Sequence, residues 1–283
     1  MHTRIVRSFV FAAAIATLAC TVPALSQANS AVVAQPLSAD NPFARPSTLP
    51  YYLPPFDRIK DADFRPAFDA GMAEQRKEVE AIDRNTAPPN FENTVTALEK
   101  SGQLLDRASS VFSNLNASNT NPEILKIASE MAPKRAAHRD AILLDPVLFA
   151  RCDAVYQKRA TLQLDPESKQ LLERTYTEFV RAGAKLSDAD KSRLRQLNEQ
   201  IASLTTRFQQ NVLKATKDSA VVVENVSDLD GLSREQIGAA AEAAKARGLN
   251  GKWVIALQNT TIQPVLEQLR NRALREKIYK ASI

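Results

Sequence analysis

The stretch SDADKSRLRQLNEQIASLTTRF, Ser187 to Phe208, decides how this chain is read. Ser187 is a helix N-cap residue. Asp188 and Asp190 follow in the first turn, where carboxylates favour the positive end of the helix dipole. Leu194, Leu197, Ile201, Leu204 and Phe208 then recur at steps of three and four, the stripe of a helix and not of a strand. This stripe predicts a long helix packed lengthwise against another, in an antiparallel hairpin with the helix that precedes it.

Upstream the same pattern repeats. Asp63 can cap a helix carrying Phe64, Phe68, Met72, Val79 and Ile82 on one face, ended by Pro88-Pro89. A second runs from about Asn93 to Asn119. A third opens at Pro122 and is kinked or restarted at Pro133. Asp145-Pro146 and Asp165-Pro166 open two more, the latter closed by Gly183 as a left-handed cap. Downstream, Ala220–Glu224 and Lys252–Gln258, with the single Trp253, are β-branched or aromatic runs that predict short strands. They flank an Ala-rich helix opened by the capping box Ser233-Arg-Glu-Gln236. The two strands can pair parallel or antiparallel. From Pro264 the pattern is helical again to Ile283. No capping residue closes that last helix, so the expectation is a chain cut in mid-element. The fold class is mainly α: long antiparallel helices with a small β element at about 220–224 and 252–258.

Composition agrees. Seven glycines and an aromatic share of 6% argue against a β-sandwich. The net charge is +5, of which Arg4 and Arg7 supply two. The remaining charges alternate in sign along the helices, so nucleic acid is not expected as a partner.

Arg4 and Arg7 precede an apolar run from Ser8 to Ala19, too short to span a bilayer, and the small residues of Ala24–Ala28 follow. This is the pattern of an export signal, and the expected location is the periplasm. Thr17-Leu-Ala-Cys20 leaves a lipoprotein anchored at Cys20 as a lesser alternative. The expected organisation is a signal peptide over 1–28, a proline-rich extended arm over 29–62 and a helical lobe over 63–283. Phe43, Tyr51, Tyr52, Leu53 and Phe56 are interleaved with the prolines, so the arm is expected to pack across the surface of the lobe.

Chemistry is sparse. The two histidines are His2, in the signal, and His138, on a helix beside Arg135 and Arg139. No pair of histidines has metal-ligand spacing, and no partner stands near His138 to make it a general base. Cys152 sits on an apolar helix face, as a buried inert thiol would. Asp188 and Asp190 serve the helix dipole. No nucleophile elbow or phosphate loop occurs. No catalytic, cofactor-binding or metal-binding residue is assigned.

The order of several short motifs does carry a resemblance. Asn41-Pro-Phe43 with Pro46–Pro50, Pro54–Phe64, Phe91–Thr94 with Leu98–Gly102, Phe179–Ser187, Leu197-Asn198 with Leu204–Phe208, Gly251–Pro264 and Asn271–Arg275 follow one another as in bacterial peptidyl-dipeptidases. The chain thus resembles the N-terminal portion of an exported member of the thimet-oligopeptidase-like zinc metallopeptidases. The resemblance implies one lobe of a two-lobed, mostly helical ellipsoid with a central channel admitting short peptides. Members of this family bind one zinc through H-E-x-x-H and a later Glu, and release dipeptides from C-termini. That motif has no counterpart here. The expectation is therefore a segment that walls the substrate channel, needs a C-terminal catalytic lobe as partner and is inactive alone. The alternative is a non-catalytic exported helical protein that binds peptides or serves as a scaffold.

Overall fold

The computed structural model describes residues 36–283. The signal segment, with Arg4, Arg7 and Cys20, and the start of the arm lie outside the described residues. The architecture is mainly α with a two-stranded antiparallel sheet.

The helices are α1 (Phe64–Asp83), α2 (Ala97–Glu99), α3 (Gln103–Ser118), α4 (Pro122–Leu143), α5 (Pro146–Gln157), α6 (Pro166–Ala182) and α7 (Asp188–Asp218), then α8 (Arg234–Lys245), α9 (Asn259–Gln268) and α10 (Arg272–Ser282). Strands β1 (Val221–Val223) and β2 (Trp253–Ile255) flank α8. Most boundaries have a local cause. Asn121, Asp145, Asp165, Ser187, Ser233 and Asn271 each accept a hydrogen bond from a backbone N–H of the first turn they precede. Pro122, Pro146 and Pro166 stand at the first helical position, where no N–H is needed. Gly183, at φ 100°, ends α6, and Ala184 N–H reaches back to the Phe179 carbonyl at 3.0 Å.

Three expectations need correction in the helices. Asp63 precedes α1, but its carboxylate accepts from the backbone N–H of Lys60 and does not cap the helix. The second helix is not continuous: a π-helical turn (Phe91–Thr96) leads into α2, and Gly102, at φ 74°, breaks the chain before α3. Pro133 does not divide α4, which runs through it.

The β element is shorter than read from sequence. Val221, Val222 and Val223 pair with Ile255, Val254 and Trp253. Asn259-Thr-Thr261 forms the first turn of α9, so helix begins before Pro264, which lies inside it.

Four apolar clusters organise the interior. Phe43 from the arm, Phe64 and Phe68 of α1 and Phe112 of α3 form an aromatic group, with Phe64 and Phe68 each meeting the Phe112 ring edge-on at 5.1 and 5.3 Å. Val79, Ile142, Leu148, Cys152 and Phe179 join α1, α4, α5 and α6. Phe91 and Val95 meet Val155 and Leu172. The strands and α8–α10 enclose a cluster of their own around Leu229, Ile255, Leu269 and Ile278. Of the arm aromatics only Phe43 is buried; Tyr51, Tyr52 and Phe56 are exposed along with Leu53.

The largest departure concerns α7. It lies along α4, not in a hairpin with α6. It also turns the unexpected face inward: Leu197, Ile201, Leu204 and Phe208 are exposed, the last by 68%. Lys191 is buried, and Leu194, Asn198, Ala202, Thr206 and Gln210 are half-buried in one row at a step of four. Asn198 reaches Asp140, and Gln210 donates to the Leu125 carbonyl at 2.8 Å and to Ser129 Oγ at 3.0 Å. The contact between the two helices is thus built largely from polar and small residues.

Candidate functional site

His138 stands on α4 with 8% of its surface exposed. Its Nε2 lies 2.7 Å from Gln75 Oε1 and donates to it. Gln75 in turn donates to Ser101 Oγ at 3.3 Å, and Ser101 donates to the Leu98 carbonyl at 2.7 Å. Nδ1 of His138 is buried with no partner. Burial, helped by the charge of Arg76, pushes the imidazole down to about 4. His138 is therefore a neutral link between α1 and α4 at physiological pH.

Cys152 is buried among Val79, Leu148 and Phe179. Desolvation pushes its thiol up to about 12, so it is no nucleophile. Asp188 and Asp190 are exposed at the start of α7, where Ser187 Oγ donates to Asp190 at 2.7 Å. The structure does not bring His138, Cys152 and this pair together. Among the described residues no three His, Cys, Asp or Glu side chains are gathered so as to hold a metal ion. The residues described do not fit a zinc site.

Several polar groups with buried atoms escaped the sequence reading, among them Arg151, which is buried, and Asp83, which is half-buried. Arg151 donates to the Asn85 carbonyl at 2.7 Å and to Asn93 Oδ1 at 3.3 Å, tying α5 to the segment that follows α1. Asp83 is pushed up to about 6, chiefly by burial and then by the charge of Asp145. No local motif announces either one, because each acquires its environment from segments far away in the chain.

One cavity lies between the arm and the helices. It is a cleft of about 930 Å³ walled by Pro42–Pro55 on one side and by Gln75, Arg135 and the start of α3 on the other. It is of the size that holds small ligands or short peptides. The outward stripe of α7 forms the other notable surface: Ile201, Leu204, Phe208, Val212 and Leu213 are all exposed. Five large apolar residues on one helix exceed what a scattered apolar surface explains.

Comparison with known proteins decides the relationship. The chain is 47% identical over 241 residues to dipeptidyl carboxypeptidase of Escherichia coli, covering 85% of this chain and 35% of that protein. This chain is a homologue of the dipeptidyl carboxypeptidases. The Salmonella typhimurium protein of the same name is 46% identical over 242 residues, with 86% of this chain and 36% of that protein covered. Oligopeptidase A of Haemophilus influenzae is 27% identical over 231 residues, covering 81% and 33% of the two chains. The chain thus spans about a third of the length of the relatives it matches. No protein-family model matches it. Among the described residues no helix is long and apolar enough to cross a membrane.

Proposed function

We propose that this chain is the N-terminal portion of an exported zinc metallopeptidase of peptidyl-dipeptidase type, hydrolysing short peptides and releasing C-terminal dipeptides. The observation that carries this reading is the 47% identity over 85% of the chain to a dipeptidyl carboxypeptidase nearly three times as long as the matched segment. In this reading the zinc and the reacting groups belong to the rest of the peptidase, and the present segment walls the channel that admits substrate. The outward apolar stripe of α7, from Ile201 to Leu213, supports the reading. Its occupant is the remainder of the same peptidase, since roughly two thirds of the relatives' length has no counterpart here. Residues 1–28 act as the export signal to the periplasm.

A chimera tests this. The stretch of the Escherichia coli relative that aligns with this chain is replaced by the present sequence, and dipeptide release from N-blocked tetrapeptides is assayed with and without a zinc chelator. The expected result is chelator-sensitive dipeptide release by the chimera and none by the 283-residue chain alone. A folded, zinc-loaded chimera that releases no dipeptide would overturn the proposal and favour a non-catalytic peptide-binding or scaffold protein.

A further inference from the structure

Arg45, Arg107 and Arg135 come from the arm, α3 and α4, yet all three line the cleft between the arm and the helices. None of them takes part in an ion pair among the described residues. Arg107 uses one Nη to donate to the Phe43 carbonyl at 3.1 Å, while its Nε is buried with no acceptor. Arg135 lies half-buried with its guanidinium 5.4 Å from the centre of the Phe68 ring. Burial lowers its pKa, the sign of a charge held away from water.

The two carboxylates of the lining do not balance these charges. Glu99 is engaged by Arg174 at 3.2 Å, and Asp106 is exposed. The cleft therefore keeps a positive excess with guanidinium donors unmet inside the chain. A guanidinium fork matches a carboxylate, which can accept two parallel hydrogen bonds from it. The arm side of the wall is stiff, with Pro42, Pro46, Pro54, Pro55 and Tyr52, while Gln103, Ser109 and Ser110 of α3 add uncharged hydrogen-bonding groups. At about 930 Å³ the space is too large for a lone inorganic ion and suits several residues of extended chain.

We propose that this cleft binds a short acidic peptide, its carboxylates paired with Arg45, Arg107 and Arg135. Its occupation does not depend on the peptidase reading.

Fluorescence anisotropy on the whole chain tests it with three probes. These are a labelled acetyl-Asp-Glu-Ala-Asp amide, its isosteric acetyl-Asn-Gln-Ala-Asn amide, and unlabelled citrate as competitor. The acidic peptide should bind, with affinity falling as salt is raised, and the neutral peptide should bind about tenfold more weakly or not at all. Arg135→Gln should weaken the acidic peptide by about tenfold and Arg45→Gln by about threefold. Arg45 is exposed, so R45Q stays informative if R135Q fails to fold. No binding of the acidic peptide, equal binding of the neutral one, full displacement of the bound peptide by an equimolar amount of citrate, or unchanged affinity in R45Q would each overturn the proposal.

Discussion

Asn198 on α7 donates its side-chain amide to both carboxylate oxygens of Asp140 on α4, at 2.9 and 3.0 Å. Asp140 is 5% exposed and belongs to no ion pair among the described residues, so this amide is its main compensation. Burial raises the Asp140 pKa, and the bond to Asn198, with the charges of Arg139 and Arg195, draws it back. Removing the amide by Asn198→Ala should cost about 1–3 kcal/mol, the desolvation penalty of a buried acceptor left unpaired. Asp140→Asn in the same background should recover part of the loss. Urea unfolding monitored by circular dichroism checks both; an N198A loss below about 0.5 kcal/mol would show the pair to be incidental.

Gly71 of α1 faces α3 so closely that a Cβ there would lie 2.8 Å from the Leu105 Cα. Two helix backbones cannot yield as a flexible side chain can. Gly71→Ala should destabilise by about 1–3 kcal/mol and Gly71→Val by more, despite the better helix propensity of alanine. A rise in thermal midpoint for G71A would contradict this close approach.

His138 makes stability depend on pH. Its folded pKa is pushed down to about 4 from an ordinary 6.5, so the unfolded chain takes up the proton first as pH falls. The contribution is fully present above pH 6.5 and is lost as pH falls toward 4. Asp83 acts oppositely. Its folded pKa is raised to about 6 from 3.8, so protonation of the folded chain adds stability as pH falls through that window. In an Asp83→Asn background, wild-type His138 should lose about 1–3 kcal/mol between pH 7 and pH 4 relative to His138→Gln. Parallel stability curves for the two proteins would remove the histidine from this role.

The exposed stripe of α7 should make the isolated chain self-associate. Leu204→Glu with Phe208→Glu places two charges at positions 62% and 68% exposed, so stability should change by less than about 0.5 kcal/mol. Sedimentation velocity should show the wild type associating and the double variant moving as a monomer. A wild-type chain that is monomeric at high concentration, without dye binding to apolar surface, would count against the docking role of α7.

Residue order alone determined much of this protein. Ser187, Asp145, Asp165 and Gly183 mark helix ends through bonds to their own neighbours, so those boundaries were legible without a partner. The two strands, the capping box at Ser233 and the relationship to peptidyl-dipeptidases were legible for the same reason, since local order carries them. Tertiary structure decided the rest. The leucine stripe of α7 reads as a buried seam because periodicity reports which residues share a face, never which face meets the core. What chose the face was α4, whose Asp140, Ser129 and Leu125 carbonyl offer hydrogen-bond partners to Asn198 and Gln210. The convergence of Arg45, Arg107 and Arg135 was likewise invisible, because residues 90 positions apart become neighbours only when the arm, α3 and α4 close around one cleft.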